Sequence, residues 1–86
     1  MLNGRYRQKT RVCWYKNDAL HRNKDLPAVE WDGGTKIWYQ YGKRHRTAGP
    51  AYMRSDGLCV WFFEGKELDC ETQEEFLQLM RMKAFW

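Results

Sequence analysis

The sequence predicts an α+β domain: an antiparallel β-hairpin repeat sheet of about five to six short strands, closed by one C-terminal helix. Three observations predict it. The chain repeats itself: ALHRNKDLPAVEWDGGTKIWYQ aligns with KRHRTAGPAYMRSDGLCVWFF once one residue is dropped between the Arg and the Pro, a period of about two dozen residues. The same frame puts Trp14, Trp38 and Trp61 in one column, with Asp18, Gly42 and Gly65 four residues after each. Finally, Thr72 followed three residues later by Glu75 is the capping box that opens a helix.

Taken in order, residues 1–10 are polar and basic. One long strand would place Arg5, Arg7, Lys9 and Arg11 on one face, since side chains alternate with period two. The repeat frame instead aligns Thr10 with Gly34 and Gly57 and makes Gln8–Thr10 a turn, the reading preferred here. RVCWYK (11–16) alternates as a strand, and Asn17-Asp18 supplies turn chemistry. The first His-Arg segment, His21-Arg22, leads into a loop, because Pro27 disfavours helix at Leu26. PAVEW (27–31) goes out, Asp32-Gly33-Gly34 turns, and TKIWYQY (35–41) returns. The second unit repeats the plan: Gly42-Lys43, His45-Arg46, PAYMR (50–54), Ser55-Asp56-Gly57, then LCVWFF (58–63) and Glu64-Gly65. In a third unit Leu68-Asp69 stands where His-Arg stood, so the repeat ends there. The domain is single and spans 1–86: a basic cap hairpin (1–19), two repeats (20–43 and 44–67) and a helical cap (69–86).

In that helix Glu71, Glu74 and Glu75 lie near the positive end of the dipole, and Arg81 and Lys83 near the negative end. Phe76, Leu77, Met80 and Ala84 make a stripe for the core. Leu79, Met82, Phe85 and Trp86 fall outside it, and form either a wider buried face with a frayed end or a second apolar surface for a partner protein or a second copy. In the sheet, Trp14, Trp38 and Trp61 share a face with Val12, Cys59 and Phe63, while Cys13, Tyr15, Ile37, Tyr39, Val60 and Phe62 share the other. One helix covers only one face, so the sheet curls or leaves a face open.

The chain of 86 residues is small for a self-sufficient core. Five Trp, five Tyr and four Phe compensate, each burying a large area. Three cysteines, Cys13, Cys59 and Cys70, lack metal-ligand spacing and read as reduced thiols, which points to a cytosol. No apolar run reaches the length of a membrane span, and no signal peptide opens the chain.

The net charge of +4 conceals a separation of signs. Residues 1–24 carry seven Lys or Arg against Asp18 alone, and residues 36–54 carry five with no acid. Residues 56–75 reverse this, with seven acids against Lys66. Separated signs suit a polyanion or acidic partner on one side, or signs that pair across neighbouring strands.

The two His-Arg segments resemble a site, yet both occupy the same repeat position. Each therefore does the same local job, bridging loop groups where the chain changes direction, whereas catalysis needs unlike groups converging on one point. There is no Ser-His-Asp arrangement, no phosphate-cradling glycine loop and no His/Cys cluster at ligand spacing. The expectation is a non-enzymatic protein without cofactor or metal. Nucleic-acid binding has more support. Basic residues interleave with aromatics in GRYRQKTRVCWYK and KIWYQYGKRHR. Arg and Lys neutralise phosphates, and exposed aromatics stack on unpaired bases, which favours single-stranded RNA over duplex. The basic rim is Arg5, Arg7, Lys9, Arg11, Lys43, Arg44 and Arg46; the Trp column itself is assigned to the core.

The pattern HR-x-x-GPA, then a DG turn, then a strand like WYxxGK, over roughly residues 14–68, resembles the HR-GPA variant of MORN-like hairpin repeats, found in small proteins of phages and large DNA viruses. Asp25-Leu26 replaces the usual Gly before Pro27, so that turn departs from the pattern. The resemblance implies antiparallel hairpins stacked in series and no enzyme activity, and it names no partner. In size and basic charge the chain is also similar to phage accessory proteins that blunt host defences, including blockers of toxin–antitoxin ribonucleases that involve RNA. The expected function is a phage-type inhibitor of a host protein in the host cytoplasm, with RNA or another polyanion on the basic rim. The alternative is a pure protein-interaction or dimerisation module with no nucleic-acid binding.

Overall fold

A computed structural model describes residues 1–82. Among them are ten short antiparallel strands and one helix: β1 (Gly4–Arg7), β2 (Arg11–Lys16), β3 (Ala19–Leu20), β4 (Val29–Trp31), β5 (Lys36–Ile37), β6 (Tyr39–Gln40), β7 (Lys43–Arg44), β8 (Tyr52–Met53), β9 (Cys59–Phe63), β10 (Lys66–Leu68) and α1 (Gln73–Met82). The α+β plan of hairpins plus one terminal helix is therefore present. The expected five to six strands become ten for two reasons. The residues flanking each tight turn pair with one another as β2–β3, β6–β7 and β9–β10. The second return strand also breaks at Trp38, whose N–H donates to the Ala51 carbonyl at 2.7 Å.

The main sheet runs β1-β2-β4-β5-β8-β9-β10, with β3 attached to β2 and β6–β7 as a separate pair. Strand order follows chain order, so neighbours in sequence are neighbours in space. The molecule is thin, 39 × 30 × 18 Å, as a single curled layer should be. Register builds two rows across it. Arg7, Val12, Glu30, Lys36, Met53 and Cys59 oppose one another in turn on the tryptophan face. Tyr6, Cys13, Val29, Ile37, Tyr52 and Val60 do so on the other.

The turns explain the second residue column. Asn17-Asp18, Tyr41-Gly42 and Glu64-Gly65 all have positive φ at both central positions, the geometry of two-residue hairpin turns that match strand twist. Gln8 N–H donates to the Arg11 carbonyl at 2.8 Å, so the first hairpin does turn at residues 8–11.

Packing is distributed. Cys13, Val29 and Ile37 form one buried cluster, edged by Tyr15, Leu20, Tyr39 and Tyr52. Trp38, Ala51 and Phe62 form a second, and Trp61, Leu68 and Phe76 a third beneath α1. The N-cap half of the box is present, with Thr72 Oγ accepting from Glu75 N–H at 3.2 Å, while the Glu75 carboxylate reaches one residue further back and accepts from Glu71 N–H at 3.3 Å. The helix is turned from the expected stripe. Phe76, Leu79 and Met80 pack inward at i, i+3, i+4, while Leu77 is 44% exposed. Of the four residues assigned to a partner surface, Leu79 is thus partly covered by the chain's own core and Met82 is exposed. Phe85 and Trp86, with Ala84 of the stripe, lie outside the described residues.

A tryptophan column capped by arginine, and the cations left over

Each His-Arg segment makes the same contacts. The Arg22 guanidinium lies 3.6 Å from the Trp14 ring centroid and donates to the Pro27 carbonyl at 3.0 Å. Arg46 lies 3.9 Å from the Trp38 ring and donates to the Pro50 carbonyl at 3.1 Å. The histidines accept backbone N–H groups from the next turn: His21 Nδ1 from Tyr41 at 3.1 Å and His45 Nδ1 from Glu64 at 2.9 Å. Each also lies against the aromatic ring beside that turn, Tyr41 at 4.4 Å and Phe63 at 4.7 Å. Each His-Arg pair therefore binds one hairpin to the next, with the Arg covering the Trp of the preceding strand. The repeat position implied a shared local job, and the contacts are shared; the His Nδ1, however, accepts a backbone N–H where bridging of loop carbonyls or carboxylates was expected.

This use of arginine redraws the basic rim. Arg7 is held by Asp32, with Nη1 and Nη2 donating to the two carboxylate oxygens at 2.7 and 2.6 Å. The hydrogen bonds hold the Asp32 carboxyl below its usual range and raise Arg7. Arg46 is taken up by Trp38, Pro50 and Asp25, the last at 2.8 Å from Nε. Arg11 and Arg44 sit on the opposite face. Arg11 lies 5.0 Å from the Trp31 ring, and Arg44 donates to Tyr39 Oη at 3.3 Å. The seven residues expected to form one surface therefore divide: Arg11 and Arg44 face away, Arg7 and Arg46 are committed within the fold, and Arg5, Lys9 and Lys43 are exposed without an ion pair among the described residues.

Three further exposed cations, Lys16, Lys24 and Lys36, also make no ion pair among the described residues. Lys16 stands 5.6 Å from the ring of Tyr41, which is 68% exposed. None of the three belongs to the expected rim, although Lys16 and Lys36 lie at the ends of the two basic–aromatic stretches and alternation places them on the face of Trp14 and Trp38. An open cleft of about 630 Å³ lies between the two His-Arg loops, lined in part by Trp38, Gln40, Tyr41, Lys43, Asp25 and Glu64.

The acids gather elsewhere. Glu64, Glu67, Asp69, Glu71, Glu74 and Glu75 all follow β9. Because the sheet is laid down in chain order, the charge separation of the sequence becomes a separation in space, basic at the β1 end and acidic at the β10–α1 end. Nearby, burial, Glu75 and Asp69 all raise the Cys70 thiol pKa. Cys13 is buried, Cys59 and Cys70 are half-buried, and none forms a disulfide. Among the described residues no group of three His, Cys, Asp or Glu is placed to hold a metal, and no helix is long and apolar enough to cross a membrane.

Comparison of the chain with protein-family models, curated proteins and solved structures finds no match.

Proposed function

We propose that this chain is a non-enzymatic binding protein that holds single-stranded RNA, or a polyanion of like charge, on the basic end of its sheet. The observation that carries the proposal is the set of exposed cations with no ion pair among the described residues, Arg5, Lys9, Lys16, Lys24, Lys36 and Lys43, of which all but Lys43 lie in the first two hairpins, before the acids that follow β9. Lysines attract phosphates as mobile point charges. Tyr41, largely exposed beside Lys16, offers a ring on which a base can stack. The stacked tryptophans do not serve this purpose, since Arg22 and Arg46 already occupy their outer faces.

The wider role, a phage-type accessory protein that inhibits a host protein such as a toxin–antitoxin ribonuclease in the host cytoplasm, is supported by the resemblance of the repeat and by three thiols without a disulfide. The competing role, a protein-interaction module alone, is supported by the exposed Leu77 and Met82 on the helix.

Salt separates the two. Fluorescence anisotropy with a labelled single-stranded RNA should show binding at low ionic strength. Its log–log salt slope should flatten by about 0.7 for each phosphate-contacting lysine removed, as in Lys43→Ala. Binding that is absent at low salt, or indifferent to salt, would leave only the protein-interaction role.

A further inference from the structure

The two ends of the sheet are halves of the junction that already joins the hairpins inside the molecule. Each hairpin has an outgoing strand (β1, β4, β8) and a return strand (β2, β5, β9). Inside the chain, each return strand pairs on its far side with the outgoing strand of the next hairpin: Val12 opposes Glu30 and Cys13 opposes Val29, then Lys36 opposes Met53 and Ile37 opposes Tyr52. At β9 the series stops. Cys59 and Val60 pair with Met53 and Tyr52 on one side, and among the described residues no strand pairs with them on the other. Leu58, next to them, is 44% exposed. At the opposite end β1 is an outgoing strand with no strand on its outer side among the described residues, and its four residues are all exposed.

We infer that β1 of a second copy pairs with the open edge of β9, head to tail, in the register of the internal junctions. The equivalences place the second copy's Arg7 opposite Cys59 and its Tyr6 opposite Val60. Both cross-sheet rows then continue unbroken from one copy into the next. Charge selects this partner over others. The incoming strand carries Arg5, beside an Arg7 already paired with Asp32, and the edge it meets adjoins the acids Asp69 and Glu71 that follow β10. Two basic ends meeting each other would repel. Charged residues on an edge strand block like edges from pairing, and here they leave the oppositely charged edge as the complementary one. The interface is heterologous and its two halves lie at opposite ends of the sheet, so addition does not stop at two copies unless the ring closes.

The test uses ribonuclease-treated full-length protein, so it stands apart from RNA binding. In sedimentation velocity, the average mass should grow past the dimer as concentration rises and fall back as salt is added. Arg5→Glu, which disturbs no ion pair among the described residues, should weaken association about tenfold or more. Under mild oxidation Arg7→Cys should give a ladder of disulfide-linked oligomers through Cys59, and Arg7→Cys with Cys59→Ser should give none. A wild-type protein that stays monomeric at every concentration, or that halts at a dimer unaffected by Arg5→Glu, overturns the inference. So does a ladder that survives Cys59→Ser.

Discussion

The second and third hairpins cover the equivalent tryptophan, Trp38 and Trp61, with different materials. On the second, Arg46 stacks on Trp38, and the Asp25 carbonyl, from the longer first loop, accepts the indole N–H at 3.1 Å. On the third, the chain offers Leu68 and Asp69 where His and Arg stood, and α1 takes over. Phe76 packs against Trp61, and Gln73 Oε1 accepts its indole N–H at 2.8 Å. Gln73 also donates to the Thr47 carbonyl at 2.9 Å, so it ties the shorter second loop to the helix. A repeat can therefore use a polar, half-exposed cap as long as another hairpin follows. The third takes an apolar cap, since among the described residues no further hairpin follows to share its burial.

That contrast can be broken most severely at the apolar cap. Phe76 is fully buried, and Phe76→Ala should cost about 3–5 kcal/mol, most of the stability of a small domain. Urea denaturation followed by tryptophan fluorescence checks it; a loss under 1 kcal/mol would mean α1 does not complete the core. The arginine caps should matter less. Arg46→Ala should cost about 2 kcal/mol, summing a stacked cation and charged hydrogen bonds. Arg46→Lys should recover little of this, since an ammonium cannot stack on Trp38 and fork to Asp25 at once. Thermal melts of the two variants should nearly coincide.

Gln73→Ala is a finer probe. It leaves the Trp61 N–H and the Thr47 carbonyl without this partner and should cost about 1 kcal/mol. The smallest effect concerns acid. Asp56 is held at about 2, mainly by its hydrogen bond from Arg54 and then by the Leu58 N–H. Asp32 is likewise lowered by Arg7. A folded carboxyl that holds its proton less tightly than the unfolded one stabilises the fold above the unfolded value, about 3.9. That stability is lost as pH falls toward 2. Arg54→Ala should therefore flatten the melting temperature against pH between 4 and 2 and leave it unchanged in slope above 5.

Much of the fold was legible because its signals are local. The tryptophan column, the turns at Asp18, Gly42 and Gly65 and the Thr72–Glu75 cap each need only a few consecutive residues. What escaped depends on partners distant in sequence. Phe76, Leu77 and Met80 make as good a stripe as Phe76, Leu79 and Met80, and the position of Trp61 and Leu68 chooses between them. The rim suffered in the same way. Arg7 meets Asp32 across 25 residues and Arg46 meets Asp25 across 21, so spacing alone could not show that both were already engaged. Lys16, Lys24 and Lys36, with no ion pair among the described residues, join Arg5, Lys9 and Lys43 as the cations left available.

The claim under all of this is that charge separated along the chain is charge separated in space, with the basic end doing the binding. Backbone amide NMR with a short single-stranded RNA tests it directly. Shifts should concentrate in residues 4–9, 16–24 and 36–43 and leave β9, β10 and α1 unmoved. Shifts centred on β9 to α1, or none at low salt, would contradict it.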